Sequence, residues 1–572
     1  MTGRHLWMFL LLASIGTSAR TQTSIADAIY YGGTIITVND QAPTAEAIAV
    51  RNGLILSVGS RKEVFEHRGP LTRLIDLHSE TLLPGFVDGH SHFGSTAFGW
   101  GTPTLYPPPV GTVTTIADIQ RILKNYIASK QIPAGVPVTA SGYDDSLLKE
   151  RRHPTRVDLD AITVDHPLCL HHISGHLVTC NSTALKAAGI TRDTADPAGG
   201  RVFRDPATGE PNGVLGDRAT ALVGKLFPPA TLEQAKQNFD AVQQYYAAFG
   251  YTTVQEGASS AEVVRLLLDE NASGNLKLDV ISYPIAQGVD QIIATQGIHI
   301  GSTYDRHLKF QGVKLFGDGS PQGKTAFLSE PYIHPPADAP ANYRGLAILT
   351  QDQFNEEYQK FFERGWQVQT HCNGDACIDR LLTAVDLAEK KYGADDRRPV
   401  VIHSQVVRVD QLDRYAQLHI IPSFFEAHVF YWGDWHRDEI LGPRRASFIS
   451  PLQSALTRNI TFSIHSDSPV TPPNALFLWW AAVNRRTRSD QILGPAERVN
   501  SQIALKALTI WAAYQQFDEK LKGTLETGKY ADFVILAENP LTVDPLHIKD
   551  VSILETVKNG ETIWKRSGSA MR

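Results

Sequence analysis

The chain has 572 residues, and 54 Lys+Arg against 60 Asp+Glu give a formal net charge of −6. With 42% hydrophobic and 20% charged residues the composition is globular, which excludes a largely disordered chain. The mild acidity leaves no electrostatic footprint for nucleic acid or an anionic membrane, and four cysteines in this length exclude a disulfide-built mini-domain.

At the amino terminus Arg4 and His5 precede an apolar run, Leu6 to Gly16, and then the small residues Thr17-Ser18-Ala19. This is the three-part pattern of a secretory signal peptide, too short for a span of ~20 apolar residues. Residues 1–19 are therefore expected to be removed, leaving a secreted or periplasmic protein with no membrane attachment. No later apolar stretch reaches spanning length; the strongest, Ala475 to Val483, ends at Asn484-Arg485-Arg486. Cys169, Cys180, Cys372 and Cys377 could pair in an oxidising compartment, with buried free thiols as the plainer reading.

From Ala28 to Leu83 the chain reads as short β segments broken by Gly and Asn. The carboxyl end has the same grain in GKYADFVILAENP and ILETVKNGETIWK, where Asn-Gly is a hairpin signal. Neither piece can bury a good core alone, so residues 20–82 and 523–572 are expected to combine into one small composite β-sandwich. Between them, residues 83–522 carry eight strand-like runs: LLPGFVDGH, YTTVQEG, LKLDVISY, FQGVKLFGDG, WQVQTH, PVVIHSQ, IIPSFFEAH and ITFSIHSD. Helical text separates several of them, so the fold class is α/β, and eight parallel βα units suit a (β/α)8 TIM-like barrel. The alternative, a doubly wound sheet, lacks its GxGxxG fingerprint after the first strand. Residues from about 95 to 249 are too many for a loop and are read as an insertion after the first strand.

His90 and His92 stand two apart at the end of the first run, a spacing that puts both imidazoles on one face of a strand. His371 ends WQVQTH, His403 ends PVVIH and Asp467 follows ITFSIHS, while Lys314 sits in an apolar context that disfavours an unpaired ammonium. Each of the six stands singly for little; together they occupy the strand ends where barrel enzymes build their sites. His176 in SGHLVTCNS and His428 in FFEAHVFYW are candidate substrate or oxyanion contacts. Asp318 could orient Lys314 or the substrate. Tyr143, Phe430, Tyr431, Trp432 and Trp435 would suit an apolar pocket wall, and Asp375 reads as a helix cap.

Here the chain resembles the amidohydrolase superfamily, specifically the YtcJ-like group that includes N-substituted formamide deformylases. The passages that carry it are LLPGFVDGHSH, SGHLVTCNSTAL, PNGVLGD, VKLFGDGS with KTA, HCNGDACID, SDSPVTPP and GTLETGKYADFVIL. The resemblance implies two divalent metal ions, zinc being the favoured metal and a single ion the alternative. His90, His92 and Asp467 would bind one ion and His371 and His403 the other, with carbamylated Lys314 bridging them. The chain departs from the group at Ile402, where Glu is common, at His465, where Gly is usual, and in DGSPQGKTA, which replaces a Leu-Gly-Ser-Arg pattern.

The expected activity is hydrolysis of a non-peptide C–N bond, amide or formamide in type, by a metal-activated hydroxide. Asp467 would be both ligand and proton shuttle to the leaving nitrogen, and Lys314 part of the catalytic apparatus. The partner is a small-molecule amide-type substrate, with self-association left open. Lactone or ester hydrolysis would use the same ligands. A metal-dependent deaminase is disfavoured because Gly374 stands where its Glu would be and Lys314 would be idle. A non-catalytic binding protein would have no need of the whole ligand set.

Overall fold

The two ends of the chain meet in one sheet. The computed structural model describes residues 24–227, 230–336 and 339–567; the expected leader, residues 1–19, lies outside them. The sheet is eight-stranded. Its order begins with the C-terminal strands Glu561–Lys565, Ile553–Lys558 and Phe533–Leu536. It continues through the N-terminal strands Thr81–Pro84, Ala28–Ile36, Thr44–Arg51 and Leu54–Gly59. The sheet forks at Ala28–Ile36, which pairs with Arg73–Asp76 over its first half and with Thr81–Pro84 over its second. Tyr30, Ile35, Ile48, Phe533 and Val557 bury one face, and Ile29, Ala47, Ala49 and Val64 the other. Asn559 and Gly560 turn the last hairpin with φ of 49° and 76°, the left-handed pair that a two-residue turn requires.

The rest of the fold is α/β, with all strands of two further sheets parallel. One sheet runs Phe86–Val87, Tyr251–Ser259, Asp279–Pro284 and Leu308–Phe310; the other runs Gly312–Phe316, Gln367–Cys372, Val400–His403, Ile421–Phe424 and Ser463–Ile464. Only Gln311 separates Leu308–Phe310 from Gly312–Phe316, so this stretch of chain passes from one sheet to the other. Beside it Ile285 and Lys314 form a parallel bridge, with the Ala286 N–H donating to the Lys314 carbonyl at 2.8 Å. At the opposite edges the Asp467 N–H donates to the His90 carbonyl at 3.2 Å. There a Cβ on Gly89 would lie 2.6 Å from Ser463 Oγ, so glycine permits the close approach.

The strands are buried on both faces and therefore read as continuous apolar runs. The helices that cover them start on recognisable caps. Thr350 and Gln353 close a capping box on Gln351–Glu363, whose Phe354, Tyr358, Phe361 and Phe362 form the buried stripe.

The first run is not one strand. LLPGFVDGH divides at Gly85: Thr81–Pro84 belongs to the eight-stranded sheet and only Phe86–Val87 to the parallel one. His90 and His92 are consequently aimed by hydrogen bonds rather than by strand alternation. The His90 N–H donates to Asp88 Oδ1 at 3.2 Å and the His92 N–H to the Ser468 carbonyl at 2.8 Å.

Between Phe86–Val87 and Tyr251–Ser259 the chain builds a separate five-stranded sheet. Its order is Gly200–Arg204, Pro211–Asp217, Leu177–Cys180, Leu168–His172 and Val138–Tyr143. Cys169 and Cys180 face each other across the antiparallel pair and are disulfide-bonded; so are Cys372 and Cys377, which link a strand end to the following helix. The plainer reading of the four thiols as free gives way in both pairs; for Cys169 and Cys180 the reason is register, since opposite positions in a ladder bring two sulfurs within reach. Among the described residues no helix is long and apolar enough to cross a membrane.

A buried ionic cluster joins the parallel strands to the terminal sheet. Asp279 pairs with Lys522, and with Lys558 at 2.8 Å; Lys558 also reaches Asp532 at 2.9 Å, and Lys309 pairs with Asp518 at 2.5 Å. Each charge in it has an opposite partner, as buried charges require.

Candidate metal centre

All six strand-end residues line one cavity of ≈ 620 Å³. His90 Nε2 lies 3.4 Å and His92 Nε2 3.3 Å from the same carboxylate oxygen, Asp467 Oδ1, while His403 Nε2 lies 4.0 Å from Oδ2. The His371 and His403 rings are 4.6 Å apart, and Lys314 Nζ stands 3.2 Å from His90 Nε2. The backbone is held in the left-handed region at both His403, φ 75°, and Asp467, φ 53°. Such conformations in residues other than glycine are strained, and they occur preferentially at functional sites.

Supporting bonds fix which ring nitrogen faces inward. His90 Nδ1–H donates to Gln255 Oε1 at 2.8 Å, which leaves the Nε2 lone pair toward Asp467 and Lys314. His371 Nδ1 faces Asp318 Oδ1 at 3.2 Å, and Asp318 also accepts the N–H groups of Phe327, Asn373 and Gly374. His403 Nδ1 faces His465 Nε2 at 3.1 Å, and His465 Nδ1 continues to Ser423 Oγ at 2.9 Å. Burial, reinforced by neighbouring cations, holds His90, His371 and His403 well below the ordinary imidazole pKa, so they are neutral. Burial likewise pulls Lys314 down to about 7 and pushes Asp318 up to about 7.

These residues fit a divalent ion. Ligand atoms about 2.0–2.2 Å from a tetrahedral zinc lie about 3.3–3.6 Å from one another, and the two imidazole nitrogens stand at that spacing from Asp467 Oδ1. Among the described residues that oxygen is buried without a hydrogen-bond donor, a state that costs about 1–3 kcal/mol or more for a charged group. Neutral imidazoles with lone pairs inward and one carboxylate are the donor set such an ion takes.

The other predicted contacts divide. His176 Nε2 lies 3.1 Å from His371 Nε2, and its Nδ1–H donates to Asp217 Oδ1 at 2.8 Å. Burial opposes charge on His176, yet the bond and charge of Asp217 prevail and raise its pKa. Asp318 stands behind His371 rather than on the cavity wall. His428 is not brought to the cavity. It is 2% exposed, packs on Phe425 and Trp432, and has Nδ1 3.2 Å from His436 Nε2. Tyr143, Phe430, Tyr431, Trp432 and Trp435 are also absent from the cavity lining, where Tyr106 and Phe316 supply the aromatic surface. Asp375 is not the cap expected of it: Gly374 is the N-cap of the helix Asp375–Tyr392, and Asp375, its first residue, accepts the Ser329 N–H at 2.8 Å.

Gln255, Asp217, His465 and Glu256 escaped the sequence reading as functional residues. Glu256 is fully buried, accepts the Ser95 N–H at 2.8 Å and has Oε1 4.0 Å from His92 Nδ1. The only available signal was polarity at the end of an apolar run, which YTTVQEG does show.

Two other clusters of ligand-type side chains make poor cation sites. Cys372 and Cys377 beside Asp318 are disulfide-bonded. In Asp145, His153 and His172, the Ser174 N–H donates to His172 Nδ1 at 3.2 Å, so Nε2 carries the proton and donates it to Asp145 at 2.9 Å.

Comparison with known proteins follows the same lines. The model of the amidohydrolase family matches residues 73–564. A Bacillus subtilis (strain 168) protein named as an amidohydrolase, YtcJ, is 28% identical over 560 residues, covering 94% of this chain and 100% of its own. The N-substituted formamide deformylase of Arthrobacter pascens is 25% identical over 556 residues, covering 96% and 100%. Among solved structures, a metal-dependent hydrolase from Pyrococcus furiosus superposes with a TM-score of 0.67 at 24% identity, over 90% of this chain and 100% of that one.

Proposed function

Because this chain belongs to the amidohydrolase family, we propose that its metal-dependent hydrolysis is directed at a non-peptide C–N bond of the amide or formamide type. The overall change is addition of water across the acyl–nitrogen bond, giving a carboxylic acid and an amine. The observation that carries the reading is Asp467 Oδ1, without a hydrogen-bond partner among the described residues, set between the Nε2 atoms of His90 and His92. We read the two parallel sheets, whose edges meet on both sides, as a closed (β/α)8 barrel. The five-stranded sheet is then its insertion and the eight-stranded sheet a composite β domain.

His90, His92 and Asp467 would hold one divalent ion, His371 and His403 a second, with Lys314 between them. When bound, such ions lower the proton affinity of water and polarise a carbonyl oxygen; zinc suits this imidazole-rich set. Lys314, whose pKa burial lowers to about 7, could as the free amine form an N–C bond to carbon dioxide and release one proton, leaving an anionic carbamate as an oxygen ligand, which would remove the objection to a lysine between two cations.

Asp467 accepts the proton of the attacking water and hands it to the leaving nitrogen. That transfer matters because an amine leaves poorly unless protonated. His176, whose pKa Asp217 raises against the effect of burial, stands with Nε2 beside His371 and in its protonated form can donate to the oxygen that gains charge. Ester or lactone hydrolysis would need the same groups but not the proton delivered to nitrogen.

The test is Asp467→Asn in zinc-loaded protein, assayed on an N-substituted formamide and on a matched activated ester. Formamide turnover should fall by orders of magnitude, more steeply than ester turnover, while part of the bound zinc remains. Near-wild-type formamide hydrolysis would remove the proposed shuttle.

A further inference from the structure

One charged group on the cavity wall has no role in the chemistry above. Arg218 follows directly on Asp217, the carboxylate that holds His176, and lines the same cavity as His90, Lys314 and Asp467. Its backbone N–H donates to the Gly199 carbonyl at 3.3 Å. A Cβ on Gly199 would lie 3.4 Å from Arg218 Cδ and 3.2 Å from Ile348 Cα, so the aliphatic stem runs beside another residue of the cavity lining.

Among the described residues the Arg218 guanidinium meets no carboxylate or carbonyl. Two buried arginines elsewhere show the contrast. Arg485 donates to Glu426 and to the carbonyls of Leu493, Ser450 and Ile449, and Arg398 pairs with Asp396 and Glu519. The carboxylates around the cavity have other partners or neighbours. Asp217 is bonded to His176, Asp467 faces the imidazoles, and the charges acting on Glu357 are those of Lys360, Glu356 and Asp290.

A guanidinium is always charged and presents a planar fork of donors that fits a carboxylate in two parallel bonds. In a partly enclosed cleft such a group recruits an anion from solution. We infer that the substrate carries a carboxylate received by Arg218, while its carbon frame lies along Ile285, Leu315, Phe316, Ile348 and Leu349. This inference rests on the hydrolase reading of the metal centre. The carboxylate has two sources: the amine side of the scissile bond, as in an N-acyl amino acid, or the acyl side, as in a succinylated amine.

Matched pairs separate these. N-formylphenylalanine is compared with N-formylphenethylamine, and succinyl-p-nitroanilide with butyryl-p-nitroanilide, on zinc-loaded wild type, Arg218→Gln and Arg218→Lys. The wild-type ratio of kcat/KM, acid over neutral partner, should exceed one by roughly 10- to 100-fold in at least one pair, mostly through KM. The ratio should collapse in Arg218→Gln and survive in part in Arg218→Lys. The pair that shows it names the side bearing the charge. A ratio near one in both pairs, or one that Arg218→Gln leaves unaltered, overturns the inference.

If no compound turns over, the failure belongs to the hydrolase reading, and calorimetric binding of the same compounds decides Arg218 on its own. Tighter binding of an acid than of its neutral partner by wild type, lost in Arg218→Gln, upholds its role; equal binding overturns it.

Discussion

Gly257 sets how closely the second parallel strand can pass the first histidine. A Cβ there would lie 2.1 Å from His90 Cε1 and 2.4 Å from Nδ1, inside any tolerable contact and on the nitrogen that Gln255 holds. Gly257→Ala should therefore rotate His90 off its bond to Gln255 and weaken zinc binding by roughly 10- to 100-fold, the usual cost of losing an orienting bond. Competition against a chelator of known affinity reads this directly, and unchanged affinity would contradict the placement of His90 as a ligand. His465 works by the same physics on the other side of the site. Its Nε2 lies 3.1 Å from His403 Nδ1, so this imidazole is anchored by a side chain. Neither relation could be read locally, because Gln255 and His90 are 165 positions apart and His465 and His403 are 62 apart.

The helix Ala427–Trp435 shows what a run of residues conceals. FFEAHVFYW reads equally well as core or as the wall of a pocket, because composition does not say which face meets a cavity. In the fold it is core, and His428 and His436 stack at its inner side with rings 5.5 Å apart. Burial pulls His436 down to about 3, against about 6.5 in an unfolded chain. Between those values the unfolded chain takes up a proton that the folded one refuses, so this contribution is complete above pH 6.5 and is lost as pH falls toward 3. The stability difference, wild type minus His436→Gln, should therefore decline from pH 7 to pH 4 with a slope of up to about 1.4 kcal/mol per pH unit. Urea unfolding at several pH values measures it; parallel pH profiles for the two proteins would contradict it. The first run, LLPGFVDGH, conceals its structure in another way. Its apolar continuity hides the change of sheet at Gly85, since both halves are buried and only their hydrogen-bond partners differ.

At the scale of the whole molecule, the α/β character and the strand-end residues were legible because a parallel sheet covered on both faces writes each strand as an apolar run closed by polar residues. That left six chemistry-bearing side chains in five recognisable runs, His90 and His92 sharing the first. The composite nature of the terminal sheet was legible too, since neither end could bury a core alone. The buried ionic cluster was not: Asp279, Lys522, Asp532 and Lys558 come from separate segments, and each alone reads as a surface charge. Nor was the cavity wall, where Asp217 and Arg218 stand at the end of Pro211–Asp217 in the five-stranded sheet and His371 in a parallel sheet. All these parts converge on the claim that the strand ends hold metal. An anomalous difference map at the zinc edge, from crystals of the zinc-loaded protein, tests it most directly. Our account predicts one peak bounded by His90, His92 and Asp467 and a second beside His371 and His403, with Lys314 extended by a carboxylate between them. A map with no peak within coordination distance of these residues would contradict it.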